Sequence, residues 1–404
     1  MDVDNLCVED ICDFIGGSQP AKSEFISEAK PGYVRLIQTR DYKNDSFLTY
    51  IPEGSTKKFC DVEDVMVGRY GPPVFQICRG LKGAYNVALM KAKPKEGIDR
   101  EFVYYFLKQD AVFQYVDKLS ARTGGQTGVD LVSLNKYPVR VPSKIEDQKT
   151  LVASLVAIDK KIRLNNIINS ELEALAKTIY DYWFVQFDFP NIEGKPYRRS
   201  GGKMAYNEVL KREIPIGWEV KSLSQIVDLV KGNVSPREVE PSTPYIGLEH
   251  IQRKKLALED WSSSVFAESD KTVFNKGDIL FGKIRPYFHK VTVAPFDGIT
   301  STDTLVFRPK SNHYYGLALE VIFSEEFVLT ASQSSTGSKM PRADWNVLKK
   351  YPIAIPESHI LDKFQNLIDE YLMKLNILTI ENRELQKLRD WLIPLLMNGQ
   401  VTVK

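Results

Sequence analysis

Two kinds of apolar pattern alternate along the chain, and the alternation occurs twice. Within residues 1–143 and 217–356, short alternating runs such as 304–308 predict strands, and stretches such as 101–108 predict helices. After each of these mixed segments, apolar residues recur every three or four positions for many turns, which predicts one long helix. The pattern predicts an α+β protein in which a globular domain followed by a long helix occurs twice.

Matching segments support this duplication. The clearest pair is LNKYPVRVP at 134–142 and LKKYPIAIP at 348–356, and three shorter matches precede it in the same order. Matches in order at a nearly constant offset indicate an internal repeat. The predicted divisions are globular domain 1 at 1–143, spacer helix 1 at 144–190, a linker at 191–216, globular domain 2 at 217–356 and spacer helix 2 at 357–404.

Each long helix carries a narrow apolar stripe, interrupted once by Asn165 and once by Asn382, and such a stripe is typical of a coiled-coil seam. We expect the two seams to pack as an antiparallel coiled coil that separates the globular domains; ordinary bundle helices are the alternative. Pro394 and Gly399 are expected to end the second helix. The predicted seam residues are Leu151, Leu155, Ile158, Ile162, Ile168, Leu172, Leu175 and Ile179, and Phe364, Ile368, Tyr371, Leu375, Leu378, Leu385, Leu388 and Leu392.

Composition narrows the function classes without naming one. The 54 basic and 52 acidic residues nearly cancel, so any polyanion partner must be bound by locally placed cations. The four cysteines lack CxxC spacing and the four histidines are scattered, which predicts reduced thiols and no metal site. No apolar run is long enough to span a membrane, and the acidic N-terminus is unlike a signal peptide, so we expect a cytoplasmic protein.

No catalytic motif emerges from the sequence. The phosphate-binding pattern GxxxxGK[ST] is missing, and GPPV at 71–74 lacks the first and last residues of the motif used by amino-methyltransferases. Asp188 with EGK at 193–195 imitates a nuclease metal site, but it falls in the linker without a strand to present it. We interpret both as structural segments and predict no catalytic or metal-binding residue.

Basic and polar side chains recur at three matched places in the two globular domains, and cations of this kind can bind phosphates while arginine can bind guanine edges. The first place combines cations with aromatic residues, the second follows Tyr33 and Tyr245, and the third is a Thr-Gly loop. The candidate DNA contacts are Arg69, Tyr70, Arg79 and Lys82 with Lys283, Arg285, Tyr287, His289 and Lys290; Arg35, Gln38, Arg40 and Lys43 with His250, Gln252, Arg253 and Lys254; and Arg122, Thr123 and Gln126 with Thr336, Ser338 and Lys339.

Several segments together resemble the specificity subunit of type I restriction-modification enzymes. They are the YPxxxP segments at 137–142 and 351–356, DYWFVQFDFP at 181–190, GKPYRRSGG at 194–202, IPIGW at 214–218 and LRDWLIPLLMNG at 388–399. The resemblance covers essentially the whole chain. It implies two target-recognition domains, each binding one half of a bipartite double-stranded DNA site, and two conserved helices that set the spacing between them.

The same resemblance implies a division of labour with partner chains. Modification subunits, expected to number two, would dock on the helices and carry S-adenosylmethionine, and restriction subunits would carry ATP and Mg²⁺. This chain would bind no cofactor itself. Two other hypotheses remain at this point: a self-contained methylase or nuclease, which needs a cofactor motif, and a coiled-coil scaffold without DNA, which predicts no sequence preference.

Overall fold

The computed structural model describes residues 2–43, 45, 47–71, 74–119, 121–123, 126–267, 269–337 and 339–401, with the side chains of 121–123, 126 and 127 outside the description. The chain divides into two compact units. Unit 1 comprises Met1–Lys160 and Gln386–Lys404, and unit 2 comprises Lys161–Leu385. Each unit therefore combines a globular domain with parts of both long helices.

Unit 1 is built on two four-stranded sheets and two separate strand pairs. The strands of the described segments are β1 (Val3–Cys7), β2 (Cys12–Gly16), β3 (Tyr33–Ile37), β4 (Tyr50–Pro52), β5 (Phe59–Cys60), β6 (Val65–Gly68), β7 (Ile77–Cys78), β8 (Gly83–Tyr85), β9 (Leu89–Pro94), β10 (Ala121–Thr123), β11 (Gln126–Gly128) and β12 (Pro138–Pro142). The first sheet has the antiparallel order β2-β9-β6-β7, and the second has the order β4-β3-β8-β5 with β3 and β8 parallel. Strand β1 pairs antiparallel with β12, and β10 with β11.

Unit 2 is built in the same way. Its strands are β13 (Met204–Asn207), β14 (Arg212–Pro215), β15 (Glu219–Ser222), β16 (Val227–Leu229), β17 (Asn233–Val234), β18 (Pro244–Ile246), β19 (Ser262–Ser263), β20 (Lys271–Phe274), β21 (Ile279–Gly282), β22 (Val291–Val293), β23 (Gly298–Ser301), β24 (Thr304–Pro309) and β25 (Pro352–Ile355). The first sheet is β16-β24-β21-β22, and the second is β17-β20-β23-β18-β19 with β18 and β23 parallel. Strand β15 pairs antiparallel with β25.

The helices follow the same repeated order. They are α1 (Val8–Ile11), α2 (Arg100–Leu107), α3 (Asp110–Leu119), α4 (Leu131–Asn135), α5 (Ile145–Tyr180), α6 (Leu223–Ile226), α7 (Tyr315–Phe323), α8 (Glu325–Gln333), α9 (Trp345–Leu348) and α10 (Ser358–Met397). The matched strands β6 and β21 are buried at every residue, as expected for central strands with apolar sequences. The predicted tandem repeat of two mixed α/β domains and long helices is confirmed at the level of strand pairing.

In unit 2 the two long helices run antiparallel. Asn165 of α5 contacts Asn382 of α10, and Trp183 beyond the end of α5 contacts Phe364 near the start of α10, with ring centroids 5.8 Å apart. Among the predicted seam residues of this unit, Ile162, Phe364, Ile368, Tyr371, Leu375 and Leu378 are buried, while Leu172, Ile179 and Leu385 are half-buried. The coiled-coil pairing is therefore antiparallel, as predicted.

Three predicted seam positions are wrong. Leu175 is 55% exposed, Leu388 is 43% exposed and Ile168 is 39% exposed. In α5 the positions that keep the seven-residue spacing are instead occupied by Asn169 and Ala176, which are buried. The prediction followed the largest apolar side chains, whereas helix geometry buries positions of fixed spacing whatever their polarity.

The buried asparagines form the centre of the seam in unit 2. The Asn165 amide donates to Asn382 Oδ1 at 2.9 Å and to Glu381 Oε2 at 2.7 Å, and the Asn382 amide donates to Asn166 Oδ1 at 2.8 Å. Lys161 pairs with Glu381 at 3.3 Å. A buried amide pair of this kind is satisfied in only one alignment of the two helices, so it disfavours any slipped register.

In unit 1 a charged cluster joins the helices to the globular domain. Asp159 of α5 accepts from Arg389 of α10 at 2.9 Å, from Arg79 at 3.2 Å and from the hydroxyl of Tyr105 at 2.7 Å. Burial opposes ionisation of Asp159, but the hydrogen bonds outweigh it and hold its pKa below the usual range. Leu151, Leu155 and Ile158 of the predicted seam are buried in this unit, and Leu392 is half-buried.

The predicted ends of the second helix require one correction. Helix α10 does not stop at Pro394 but continues to Met397. Proline removes its own N–H donor and its ring crowds the carbonyl four residues earlier, but the residues after it can still donate to the preceding turn and continue the helix. Gly399 follows with a φ of 68°, and its N–H donates to Leu396 O at 3.1 Å, as expected for a residue that ends a helix.

The segment predicted as a linker is folded. Strands β13 and β14 form an antiparallel hairpin, and a π-helical turn at Asp181–Val185 precedes it. Phe187, Phe189 and Trp218 pack together, with the Phe189 and Trp218 ring centroids 5.3 Å apart. Aromatic packing therefore orders a segment whose Gly, Pro and charged residues had predicted a loop.

Candidate nucleic-acid interface

The first candidate cluster of unit 2 lies in a strained turn, which we call basic turn 2 (residues 283–290). Arg285 and His289 adopt left-handed backbone angles, with φ of 48° and 51°, on either side of the 3-10 turn Pro286–Phe288. A non-glycine residue in this region costs on the order of 1–2 kcal/mol, so the surrounding contacts impose the shape of the turn. The turn buries Pro286 and leaves Tyr287 54% exposed.

A second candidate cluster, the Thr-Gly loop of unit 2 (residues 336–342), lies against this turn. The Arg285 N–H donates to Pro341 O at 2.7 Å, and its guanidinium donates to Lys339 O at 3.2 Å. Ala343 N–H donates to Lys283 O at 2.9 Å. Thr336 and Lys339 are exposed on the same loop, whereas Ser338 lies outside the described residues. Two clusters that are far apart in sequence are thus brought together.

The third cluster of unit 2, residues 250–254, also adjoins basic turn 2. Lys254 N–H donates to His289 O at 2.8 Å, and the Arg253 guanidinium lies 3.8 Å from the Phe288 ring centroid. Arg253 and Lys254 are exposed, and Gln252 is half-buried. Lys254 pairs with Glu325 at 2.8 Å, an exposed ion pair of the kind that contributes little to stability.

Three histidine and lysine predictions in unit 2 are corrected by burial. His289 is 3% exposed, its Nε2 lies 2.9 Å from Phe323 O, and burial lowers its pKa. His250 Nδ1 accepts from Gly247 N–H at 2.9 Å, and burial lowers its pKa as well. Lys290 is half-buried and donates to Leu248 O, with its pKa lowered by burial. All three side chains bond to neighbouring backbone atoms; His289 is buried, whereas His250 and Lys290 are half-buried.

Unit 1 repeats the contact between a basic turn, here Arg69–Tyr70 after β6, and a Thr-Gly segment, here the hairpin of β10 and β11. Tyr70, two residues after the end of β6, pairs with Gly128 of β11, and Val129 N–H donates to Arg69 O at 3.1 Å. The Arg69 guanidinium lies 5.1 Å from the Tyr70 ring centroid. Strands β10 and β11 form the hairpin, but the candidate side chains of Arg122, Thr123 and Gln126 lie outside the described residues.

In the cluster after Tyr33, some polar side chains are exposed and others are bound by neighbouring residues. Arg35 is half-buried and pairs with Asp45 at 2.6 Å. Gln38 donates to Thr49 Oγ1 at 3.4 Å. Arg40 is exposed, with its guanidinium 5.3 Å from the Phe47 ring centroid, and Lys43 is exposed. Arg40 and Lys43 are therefore the accessible cations of this cluster.

Arg79 is a further correction. Its side chain is only 13% exposed and pairs with Glu101 at 2.5 Å and Asp159 at 3.2 Å, so it belongs to the cluster that joins the domain to the helices. Lys82, by contrast, is 73% exposed beside Asp61 at 3.5 Å. Sequence spacing alone does not distinguish the two, because the carboxylates that bury Arg79 come from distant parts of the chain.

The structure adds three residues that sequence analysis did not single out. Lys231, Asn233 and Thr302 line a cleft of about 390 Å³ together with Lys283. The matched segment of unit 1 carries no cation at this place, so a comparison of the repeats gave no signal for them.

The motif of Asp188 and residues 193–195 forms no metal site in the described structure, and the GPPV motif at 71–74 includes residues 72 and 73, which lie outside the described residues. Asp188 accepts from Arg199, with the ion pair at 2.9 Å, and Glu193 pairs with Lys195 at 2.9 Å. Within the described ranges, no group of three or more His, Cys, Asp or Glu residues is arranged to hold a metal ion. No helix in the same ranges has the length and apolar character needed to cross a membrane.

Comparison with known proteins assigns the family. The model of the type I restriction modification DNA specificity domain matches residues 1–174 and again residues 215–390. The MjaIX type I restriction enzyme specificity subunit of Methanocaldococcus jannaschii is 25% identical over 98% of this chain and 93% of its own length. The EcoDI specificity subunit of Escherichia coli is 27% identical over 41% of this chain and 37% of its own.

A solved structure shares the fold. The S subunit of a type I restriction-modification system from M. genitalium superposes with a TM-score of 0.56 over 98% of this chain and 96% of that chain, at 14% identity. The two matched domains coincide with the duplication seen in strand order. The chain belongs to the family of type I restriction-modification specificity subunits, whose role is DNA recognition without catalysis.

Proposed function

We propose that each globular domain binds one half of a bipartite double-stranded DNA target through its basic turn and Thr-Gly loop. The observation that carries the proposal is the repeated contact between these two segments, seen at Arg69–Tyr70 with Gly128 and at Lys283–Arg285 with 339–343. The two domains share this backbone arrangement but differ in their exposed side chains, as expected when two related surfaces recognise different bases.

Within unit 2, Arg285 is the candidate that we assign to base recognition. Its guanidinium makes one hydrogen bond, to Lys339 O, and no carboxylate of the described residues lies within ion-pair distance. A guanidinium held in this way keeps donors for the O6 and N7 of guanine, the commonest base-specific contact in the major groove. Lys339 and Lys254 are the nearby cations that we assign to phosphates.

We further propose that modification subunits dock on the long helices. In unit 2, large apolar side chains outside the seam are exposed on both helices, and exposed apolar stripes mark interaction surfaces. They are Leu164, Ile167, Ile168 and Leu175 of α5, and Leu367, Met373, Ile377 and Ile380 of α10. Two modification subunits would supply S-adenosylmethionine, and restriction subunits would supply ATP and Mg²⁺, in a cytoplasmic complex.

Mapping of methylated adenines tests the proposal. The full-length chain is co-expressed with a type I modification subunit, and methylated positions are read across a genome. A single motif of two short specified sequences separated by unspecified bases is the expected result. Methylation at one continuous motif, or at no preferred sequence, would contradict two separate recognition domains.

A further inference from the structure

The cleft that adjoins basic turn 2 has an unusual lining for its place in the fold. Four segments of unit 2 form it: 229–233 between β16 and β17, Thr272 of β20, Lys283 after β21, and 302–306 at the start of β24. Its polar lining consists of two lysines, three threonines and one asparagine, and no carboxylate residue is among the lining residues. Such a set offers only cations and hydrogen-bonding groups to a ligand.

The two lysines of the cleft can bind an anionic ligand, because no carboxylate of the described residues pairs with them. Lys283 is half-buried and Lys231 is exposed, and among the residues that the structure describes neither forms an ion pair. Asp303, which lies between two lining threonines in the sequence, forms a bidentate ion pair with Arg342 at 2.8 and 3.2 Å. Lys283 N–H donates to Asp303 O at 2.9 Å, which fixes the strand end from which the lysine projects.

The remaining polar groups fit an anion better than a nucleobase. Thr302 and Asn233 are exposed at the cleft, and both side-chain types donate to phosphate oxygens in protein–DNA complexes. Thr304 is buried and its hydroxyl lies 3.1 Å from that of Thr300. No aromatic residue lines the cleft, so the stacking platform that usually receives an extruded base is missing among the described lining residues.

We propose that this cleft binds a backbone phosphate of the DNA, with Lys231 and Lys283 supplying the charge and Thr302 and Asn233 supplying hydrogen bonds. The proposal rests on the DNA-binding function proposed above and adds a positioning contact beside Arg285. Phosphate contacts fix the register of a protein on the duplex without specifying its sequence. Lys283 would therefore anchor the basic turn, and Arg285 would recognise a base.

The segment of unit 1 that matches residues 230–233 forms different hydrogen bonds, so we assign the cleft to unit 2. There Gly17 N–H donates to Leu89 O at 3.0 Å and Ser18 N–H to Tyr85 O at 3.2 Å, so the segment lies against 85–89. In unit 2 the equivalent segment bonds instead to β20, where Val273 N–H donates to Gly232 O at 3.0 Å. The phosphate contact is expected for the half-site of unit 2.

Salt-dependent DNA binding tests the proposal. The full-length chain, assembled with its modification subunits, is titrated against a duplex carrying the mapped target and against a scrambled duplex of the same composition. Lys231→Ala and Lys283→Ala should each reduce the slope of log affinity against log salt by about one, equally on both duplexes, because each removes one phosphate charge. Lys283→Arg should restore the slope, and ethylation of one phosphate should cease to interfere in the double variant.

Lys276→Ala is the matched control, because this exposed lysine lies in the turn before β21, at the opposite end of the strand from Lys283. Its slope should equal that of the unaltered chain. An unchanged slope in the Lys231→Ala, Lys283→Ala double variant would overturn the cleft proposal while DNA binding itself persists. Interference at a base instead of a phosphate would overturn the choice of ligand. Failure of the unaltered complex to bind either duplex would contradict the proposed function.

Discussion

At the scale of single residues, the candidate interface of unit 2 depends on backbone angles that the residue types do not favour. Arg285, His289 and Lys254 all have positive φ; the first two lie in basic turn 2, and Lys254 lies in the adjoining segment 250–254. The surrounding hydrogen bonds, such as Arg285 N–H to Pro341 O at 2.7 Å, compensate for the strain. Strained residues gathered at one place are typical of functional sites, and here the turn leaves Tyr287 exposed and Arg285 half-buried.

Replacement of Arg285 by alanine should relax sequence preference rather than abolish binding. Loss of one bidentate contact to a base lowers the difference in binding free energy between the correct and a wrong base at that position by about 1–3 kcal/mol. The affinity of the assembled complex for the target and for single-base variants is the measurement. Lys339→Ala, from the adjacent loop, should weaken binding to all these duplexes equally. Retention of full discrimination by Arg285→Ala would remove it from base recognition.

Burial of Glu320 should make the stability of unit 2 depend on pH in the neutral range. This carboxyl is 3% exposed in α7, and burial together with Glu173 raises its pKa to about 8. Between its ordinary pKa of 4.5 and 8, the folded chain holds a proton that the unfolded chain has lost. The free energy of unfolding should therefore fall by up to about 1.4 kcal/mol for each unit of rising pH, and level off above 8.

Glu320→Gln should reduce this dependence, because a neutral amide replaces the carboxyl group that holds the proton. The neighbouring Glu173, whose pKa burial raises to about 7, should maintain part of the dependence below pH 7. Urea unfolding of the two proteins at several pH values between 5 and 9 gives the comparison. Glu370→Gln, at an exposed position of α10, is the control and should leave the slope unchanged. An identical slope in the Glu320→Gln variant would show that another group governs the neutral pH dependence.

At the scale of elements, polar contacts within each unit determine how the helices pair. The Asn165 and Asn382 amides lie in the seam of unit 2, and the carboxylate of Asp159 connects α5, α10 and the globular domain of unit 1. An apolar seam tolerates slipped alignments, because one leucine contact resembles the next. Directional hydrogen bonds distinguish one alignment from its neighbours, at some cost in stability.

Replacement of the Asn165–Asn382 pair should show strong coupling. Asn165→Leu alone leaves the Asn382 Oδ1 atom without its donor in a buried seam and should lower the free energy of unfolding by about 1–3 kcal/mol. Adding Asn382→Leu should recover much of that loss, since an apolar pair needs no donor. A double-mutant cycle from urea unfolding measures the coupling. Simple additivity of the two losses would contradict a direct role for the amide pair.

Asp159→Ala should destabilise unit 1 more than an ordinary surface change. It leaves the guanidinium groups of Arg79 and Arg389, which are 13% and 16% exposed, without their shared carboxylate. Breaking a buried ion pair typically costs about 3–5 kcal/mol, and because each arginine keeps a second carboxylate partner the loss should lie near the lower end of that range. Thermal or urea unfolding is the measurement, with Asp117→Ala at an exposed position of α3 as the control. A loss of unfolding free energy no larger than that of the control would show that this cluster contributes no more to stability than exposed ion pairs do.

At the scale of the whole molecule, the duplication separates recognition into two modules. Each unit has its own sheets, its own core and its own basic turn against a Thr-Gly segment. Helix α5 and the residues after it connect the two globular domains along the chain. Because the frames are alike while the exposed residues differ, the two half-sites should vary independently.

Exchange of residues 1–143 for the matching domain of another family member should change one half of the methylated motif only. The other half and the number of unspecified bases between the halves should persist, because globular domain 2 and both helices are unaltered. Methylation mapping of the chimaeric complex is the measurement. Exchange of residues 217–356 is the reciprocal control. A change in both halves from either exchange would contradict independent recognition.

Much of this architecture follows from local sequence. The repeated LxKYPxxxP segments, the three- and four-residue spacing of apolar positions and the missing catalytic motifs predict the duplication, the long helices and a role without catalysis. These features are local because helix periodicity and strand alternation depend on residues close together in the chain. The family match confirms the predicted family, and the contacts between the long helices confirm the antiparallel pairing.

Only the tertiary structure decides which polar groups face solvent. Arg69 and Arg79 belong to one predicted cluster, yet Arg79 is bound by Glu101 and Asp159, and His289 is buried in the same turn that exposes Tyr287. The seam likewise buries Asn169 and Ala176 while Leu175 is exposed. Burial depends on partners that lie far away in sequence, so hydrophobicity and charge at a position do not determine it. The local pattern therefore predicts the repeated frame, and long-range packing selects the side chains that remain available to a ligand.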